Sequence, residues 1–134
     1  MTQLAYKFID NLLVMAQGSG SPSDDEVTAM VEDLKGRDID ALRAIALSQG
    51  GGPSMAQRKR LTEIIGGRSM RFAIVSDAVK TRIIGTALGL FSAGVRSFPL
   101  AEIDKALEHL ELPKERWEMV RGEMQGLLDQ IERR

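Results

Sequence analysis

Apolar positions along this chain follow two different spacings. Five short apolar runs, each bounded by polar or glycine-rich residues, are typical of β-strands. They lie at 6–9, 12–16, 43–47, 70–75 and 95–98. The longer segments that follow them repeat apolar residues at the i, i+3, i+4 and i+7 positions of amphipathic helices. The order β-β-α-β-α-β-α-β-α-α predicts an α/β fold, in which an opening hairpin leads into a mostly parallel sheet with right-handed crossovers.

The first apolar segment has two interpretations. Asp10-Asn11 divides it into two short runs, which favours a β-hairpin with a tight turn. A single helix over residues 2–17 is the alternative. We favour the hairpin because the segment is short and because the glycine- and serine-rich residues 18–22 end it abruptly.

Two helix starts carry the same polar signature. Ser23 with Glu26, and Ser54 with Gln57, match the capping box, in which each side chain binds a backbone N–H of the other residue. Asp77 is placed to cap the helix predicted after the fourth strand. The apolar stripes expected on these helices and the next are Val27, Met30, Val31 and Leu34; Met55, Leu61, Ile64 and Ile65; Val79, Ile83, Ile84, Ala87, Leu88 and Phe91; and Ile103, Ala106, Leu107 and Leu110. Pro99 opens the helix that contains the last of these stripes.

Residues 113–134 form a further amphipathic segment. Pro113 suits the first turn of a helix, where its missing N–H costs little. The apolar stripe that follows comprises Trp117, Val120, Met124, Leu127, Leu128 and Ile131. We therefore expect an amphipathic helix appended to a single domain that spans residues 1–134. Such a helix would either cover an open face of the sheet or pair with a second copy of the chain.

Composition narrows the possible chemistry. The length of 134 residues fits one domain with its own hydrophobic core. The chain has no cysteine and one histidine, which excludes disulfides, thiolate metal sites, thiol catalysis and multi-histidine sites. That histidine, His109, is expected at the surface near a helix end. The sequence shows no membrane-spanning run and no signal or lipidation motif, so we expect a cytoplasmic protein without metal or cofactor.

Charge is distributed unevenly, although 18 Lys and Arg nearly balance 19 Asp and Glu. Residues 24–40 carry Asp24, Asp25, Glu26, Glu32, Asp33, Asp38 and Asp40 against Lys35 and Arg37. Residues 52–96 carry Arg58, Lys59, Arg60, Arg68, Arg71, Lys80, Arg82 and Arg96 against Glu63 and Asp77. A nucleic-acid surface would need stacking aromatics there, and Phe72 and Phe91 both fit core positions. A solvated or partner-facing surface is the better interpretation.

The loop at 48–54, Ser-Gln-Gly-Gly-Gly-Pro-Ser, is the strongest local feature. Its glycines allow positive φ and close backbone approach. A glycine-rich turn before a helix N-terminus can also hold an anion, although the Gly-Lys-Ser/Thr ending of a P-loop is absent. Three interpretations remain open: a flexible turn capped by Ser54, an anion or phospho-regulated site, and a docking surface.

The element order and several short motifs resemble the STAS domain, the fold of anti-sigma factor antagonists and of the cytoplasmic tail of sulfate transporters. The local residues also resemble a bacterial branch of small, stand-alone STAS-like proteins. The motifs are Gly50-Gly51-Gly52-Pro53 followed by Gln57-Arg58, the strand end Ala73-Ile74-Val75-Ser76-Asp77, Arg82 in the next helix, and Phe98-Pro99 before a helix ending near Ala106-Leu107. The resemblance covers residues 5–112 and implies a STAS-like mixed sheet.

The resemblance also implies a function. Anti-sigma antagonists carry a phosphorylatable Ser or Thr at the helix start that Ser54 occupies here, although the loop lacks the family's Asp-Ser-Ser/Thr-Gly sequence. We therefore expect a non-enzymatic interaction module of bacterial signalling, with a kinase or regulatory factor as partner. The candidate partner- or anion-binding residues are Ser48, Gly50, Gly51, Gly52, Ser54, Arg58, Lys59, Asp77 and Arg82.

Two other functions compete with this one. A small-ligand or anion-binding protein would use Ser48, Gly50 and Asp77, because ligands favour the carboxyl edge of parallel sheets. A structural subunit would assemble through the helix at 113–134. Asp77, Ser48 and Ser54 can lie at one edge, but no general base accompanies them, so no catalytic residue is predicted.

Overall fold

A computed structural model describes residues 2–65, 70–78 and 94–132. Its strands are β1 (Leu4–Ile9), β2 (Leu12–Gln17), β3 (Arg43–Ser48), β4 (Arg71–Val75) and β5 (Val95–Phe98). Its α-helices are α1 (Asp24–Lys35), α2 (Met55–Ile65), α3 (Ile103–His109) and α4 (Trp117–Glu132). Short 3₁₀ turns span Ile39–Ala41, Leu100–Glu102 and Lys114–Arg116. The helix predicted after Asp77, including Arg82, falls outside the described residues.

The first two strands form the predicted hairpin. They pair antiparallel with Ile9 opposite Leu12, so that Asp10 and Asn11 make the turn between them. Asp10 has a φ of 54°, a conformation that Asp and Asn adopt more readily than other non-glycine residues. The alternative of a single helix over residues 2–17 is wrong, because both halves of this segment pair as strands.

From β2 onward the sheet is parallel, and its strand order β1-β2-β3-β4-β5 follows the chain. Parallel neighbours need crossover connections, and α1 and α2 provide the first two of them. Successive right-handed crossovers that advance in one direction lie on the same face of a sheet. The two helices are therefore neighbours, joined by a hydrogen bond from Arg60 Nη2 to Thr28 Oγ1 at 3.0 Å. The predicted α/β class, with its opening hairpin, is confirmed.

Helices cover both faces of the sheet. On one face, Met30 and Leu34 of α1 pack with strand residues such as Met15. On the other face, Leu107 and Met124 pack with strand residues of a second core cluster, which includes Val14, Ile45 and Val75. Successive residues of a strand point to opposite faces. Burial on both faces explains why β2 and β3 are nearly continuous apolar runs rather than alternating ones.

The C-terminal helix is an integral part of this second core. Its buried residues Val120, Met124, Leu127 and Ile131 belong to the same cluster as the central strands. Of the two roles considered for an appended helix, the structure therefore shows that it covers a face of the sheet. This packing buries the apolar stripe on which pairing with a second copy would have depended.

Both prolines predicted to open helices precede 3₁₀ turns. Pro99 is followed by the turn Leu100–Glu102, and α3 begins only at Ile103. Pro113 is followed in the same way by Lys114–Arg116 before α4. Tightened turns of this kind are common at helix ends. The predicted helices are thus present, but their α-helical parts start later than the prolines indicated.

Candidate functional site

The predicted site lies where the parallel strands end. Hydrogen bonds join neighbouring strand exits there: Gln49 N donates to Gln17 O at 2.9 Å, and Ser76 N donates to Phe98 O at 3.0 Å. Three loops meet at this edge, namely residues 18–22 after β2, residues 49–54 after β3 and residues 76–78 after β4. The glycine-rich loop is the middle one, so it is held from both sides.

Ser48 supports the loop from within. Its side chain is buried, with 8% of the residue exposed. Its hydroxyl donates to Gly51 O at 2.8 Å and accepts from Gly50 N at 3.1 Å. Gly50 has a φ of 117°, which L-residues with side chains rarely adopt. Ser48 therefore stabilises a turn that requires glycine at position 50, and its hydroxyl is already bonded within the loop.

Gly51 lies in close contact with the neighbouring loop. Its N–H donates to Gly18 O at 2.9 Å. A Cβ at this position would lie 2.1 Å from Gly20 O and 2.5 Å from Gly18 O, which no side chain can tolerate. At Gly52, by contrast, an added Cβ meets nothing within 4 Å. The loop thus contacts residues 18–20 through Gly51.

Ser54 caps α2 through the predicted capping box. Gln57 N donates to Ser54 Oγ at 3.2 Å, and Ser54 N donates to Gln57 Oε1 at 2.9 Å. Gln57 is buried, and its Nε2 donates to both Pro22 O and Asp24 Oδ1 at 2.9 Å. The start of α2 is therefore tied to the start of α1. Ser54 itself is exposed at the surface.

Basic and apolar side chains surround Ser54. Arg58 is half-buried, and its Nη1 donates to Pro53 O at 3.3 Å, which places the guanidinium over the start of the helix. Lys59 is exposed to solvent. Met55 is 78% exposed, so its prediction as a core-facing position is wrong. A helical turn of 100° per residue would have shown this from the sequence, because Met55 does not share a face with Leu61 and Ile64.

Asp77 makes a contact that the sequence does not predict. It is exposed, and its Oδ1 accepts the N–H of Leu100 at 2.8 Å, so it caps the turn that follows β5. The helix that it was predicted to cap lies outside the described residues. The neighbouring Ala78 approaches the glycine-rich loop, since a Cβ at Gly50 would lie 3.3 Å from Ala78 Cβ. The structure thus brings the loop close to the segment that carries Asp77.

Glu26 fixes the other helix start beside this edge. Its carboxylate accepts three backbone N–H groups, those of Gln3, Leu4 and Ser23. Burial raises the pKa of this carboxyl, but the hydrogen bonds outweigh it, and the pKa is held below the ordinary value of 4.5. The sequence predicts the bond to Ser23, whereas the bonds to Gln3 and Leu4 depend on tertiary packing.

His109 is half-buried rather than fully at the surface. Its Nε2 lies 2.8 Å from Gly94 O, and its ring packs against Phe98 with the centroids 6.0 Å apart. These contacts join α3 to the start and the end of β5. The residue therefore has a structural role on the face opposite α1 and α2.

Comparison of the chain with protein family models, with curated proteins and with solved structures finds no match. Within residues 2–65, 70–78 and 94–132, no group of three or more His, Cys, Asp or Glu is placed to hold a metal ion. Over the same ranges, no helix has the length and apolar character needed to cross a membrane.

Proposed function

We propose that this chain is a protein-interaction module of bacterial signalling or regulation, rather than an enzyme. Its docking surface would be the first turns of α2, which we call the α2 surface: Ser54, Met55, Arg58 and Lys59. The observation that carries this proposal is Met55, a large apolar side chain that is 78% exposed among cationic neighbours. Met and Arg, the residue types of Met55 and Arg58, are enriched at protein interfaces. The resemblance to STAS domains, which rests on the element order and the loop motifs, supports the same function.

The contacts of the loop favour this function over anion binding. An anion cradle needs backbone N–H groups that point to the ligand. The N–H of Gly50 donates to Ser48 Oγ, and the N–H of Gly51 donates to Gly18 O. Both donors are therefore used within the protein. A small-ligand function remains the alternative proposal, and it would have to rely on other groups at this edge.

Phosphorylation at Ser54 is the regulation that these charges favour. A phosphate there would meet the N-terminus of α2 and the guanidinium of Arg58, which both attract negative charge. The first turn of α2 contains no acidic residue. Ser23 caps α1 with the same geometry, but three acidic residues occupy that first turn. Of these two capping serines, added negative charge is thus more favourable at Ser54. The nearest acidic contact is Asp24, which binds Gln57, the capping partner of Ser54.

Capture experiments with the purified chain as bait would test the proposed surface. The double substitution Arg58→Ala/Lys59→Ala removes two cations from the α2 surface. We expect proteins that the wild type captures from a bacterial extract to be lost, because truncation of central interface residues costs binding about ten-fold or more. The matched control Lys105→Ala/Lys114→Ala removes the same charge from two exposed residues near α3 and α4, and it should retain them. Equal capture by all three chains would contradict the proposal.

A further inference from the structure

The outer sides of α1 and α2 form one continuous surface. The residues that lie opposite the buried stripes are exposed: Asp25, Ala29 and Glu32 on α1, and Met55, Lys59 and Thr62 on α2. They recur at three- and four-residue intervals, so each set forms a row along its helix. We call this pair of rows the α1/α2 face. Ala29, in the middle of the α1 row, and Thr62, the last residue of the α2 row, have small side chains, which permits close approach of another helix.

The two rows carry opposite charge: Asp25 and Glu32 lie on the α1 row and Lys59 on the α2 row, and Glu32 is paired with Lys35 at 3.2 Å. Helix α1 contains five acidic residues and Lys35, whereas α2 contains three basic residues and Glu63. In the part of the chain that the structure describes, no ion pair joins a carboxylate of α1 to a cation of α2. Asp25 and Lys59 thus carry opposite charges on neighbouring helices, and neither forms an ion pair within the described residues.

The two helices run in the same direction with their starts at the same level. Gln57 near the start of α2 contacts Asp24 at the start of α1, and one turn later Arg60 contacts Thr28. Lys59 therefore lies at a level between Asp25 and Ala29. The acidic start of one helix and the basic start of the other stand next to each other.

This arrangement is self-complementary under one particular symmetry. A two-fold axis that runs parallel to the helices, along the groove between them, places α1 of a second copy over α2 of the first, start against start. Asp25 of each copy then lies near the level of Lys59 of the other. A two-fold axis across the helices would instead place α1 over α1 and oppose like charges. Closed two-fold dimers use the same patch on both copies, which this face allows.

We propose that the α1/α2 face binds a second copy of this chain, with the two-fold axis along the groove between the helices. Each copy would contribute both an acidic and a basic row, and the exposed Met55 would pack against the partner. This inference deepens the proposed function, because it names a second copy as the partner of the α2 surface.

Charge-reversal variants test the contact by sedimentation velocity over a range of protein concentration. We expect the wild type to dimerise, and more weakly at high salt. Lys59→Glu and Asp25→Lys should each raise the dimer dissociation constant about ten-fold or more, because like charges then face each other twice. An equimolar mixture of the two variants should recover the dimer. In the mixed pair the introduced glutamate of one chain would face the introduced lysine of the other, and the native Asp25 and Lys59 would face each other at the second contact.

Control variants with the same change of charge, placed away from the α1/α2 face, show whether the position of the charge matters. Glu118→Lys and Lys105→Glu reverse exposed charges on the opposite side of the sheet and should leave the dimer unchanged. Circular dichroism of each variant verifies that it is folded. A wild type that stays monomeric up to millimolar concentration would overturn the inference, as would single variants that still dimerise, or a mixture that fails to recover. Any of these results would contradict the dimer without contradicting the proposed function. The capture experiment with Arg58→Ala/Lys59→Ala tests separately whether the α2 surface binds a different protein.

Discussion

Gln57 is a buried polar residue, and both atoms of its side-chain amide form hydrogen bonds to other residues of the protein. It is 4% exposed, and its oxygen accepts the N–H of Ser54 while its nitrogen donates to Pro22 O and Asp24 Oδ1. A buried amide without partners would cost free energy, so these bonds are a condition of its burial. The capping half of this role follows from local spacing in the sequence. The bonds to the start of α1 do not, because they join residues 33 and 35 positions apart.

Tyr6 offers a spectroscopic test of the residue-level contacts. Burial, together with a hydrogen bond to Asp33 and the charge of that carboxylate, raises the pKa of Tyr6 to about 12. Because it is the only tyrosine in the chain, absorbance at 295 nm should report its ionisation alone, with a midpoint near 12. Asp33→Asn should lower that midpoint toward 10, although not fully, because burial persists.

The same shift has a consequence for stability with a defined sign. The folded-state pKa lies above the unfolded value of 10.0, so the folded state binds the phenolic proton more tightly. The stabilisation is complete below pH 10 and is lost as pH rises through about 12. A midpoint at 10 in a chain that is still folded by circular dichroism would contradict the contact with Asp33.

At the scale of elements, α4 is predicted from the sequence as an appended helix, whereas its apolar residues form part of the hydrophobic core. Met124 is 1% exposed and Met119 is 37% exposed on the same helix. We expect Met124→Ala to lower the free energy of unfolding by about 2–5 kcal/mol, because it leaves a cavity against the sheet. Met119→Ala should change it by less than about 0.5 kcal/mol. Urea denaturation measures both, and equal effects would show that the helix does not pack on β2.

The periodicity of apolar residues predicts most of the helices and strands. It does not predict contacts between residues that are far apart in the sequence. The hairpin, the extended apolar runs and both capping boxes follow from short-range chemistry that tertiary contacts do not override. Grouping Met55 by its apolar character rather than by its helical angle predicts burial, whereas the residue is 78% exposed. The close approach of Gly51 to Gly18 and Gly20 could not be predicted, since it depends on how two loops meet. The same limit applies to Asp77, whose partner comes from the turn after the next strand.

At the scale of the whole molecule, a formal net charge of −1 conceals a division between neighbouring helices. The acidic first turn of α1 stabilises its own N-terminus through the helix dipole, whereas α2 gains no such benefit from its basic residues. Lys59 therefore does not stabilise the start of α2, and it is the cation that both the α2 surface and the α1/α2 face use.

Negative charge at the two capping serines should have opposite effects on the proposed dimer. Aspartate caps helices as well as serine does, so Ser54→Asp and Ser23→Asp should both remain folded. Ser54→Asp adds a carboxylate to the basic end of α2, which faces acidic residues of the second copy, and should weaken dimerisation about ten-fold. Ser23→Asp adds the same charge to the acidic end of α1, which faces cations, and should leave dimerisation equal or stronger. Sedimentation velocity distinguishes these outcomes, and equal weakening by both variants would show that net charge, and not the paired faces, controls association.

The expected asymmetry would also explain how phosphorylation of Ser54 could release one copy from the other, since a phosphate adds more negative charge than aspartate at the same position.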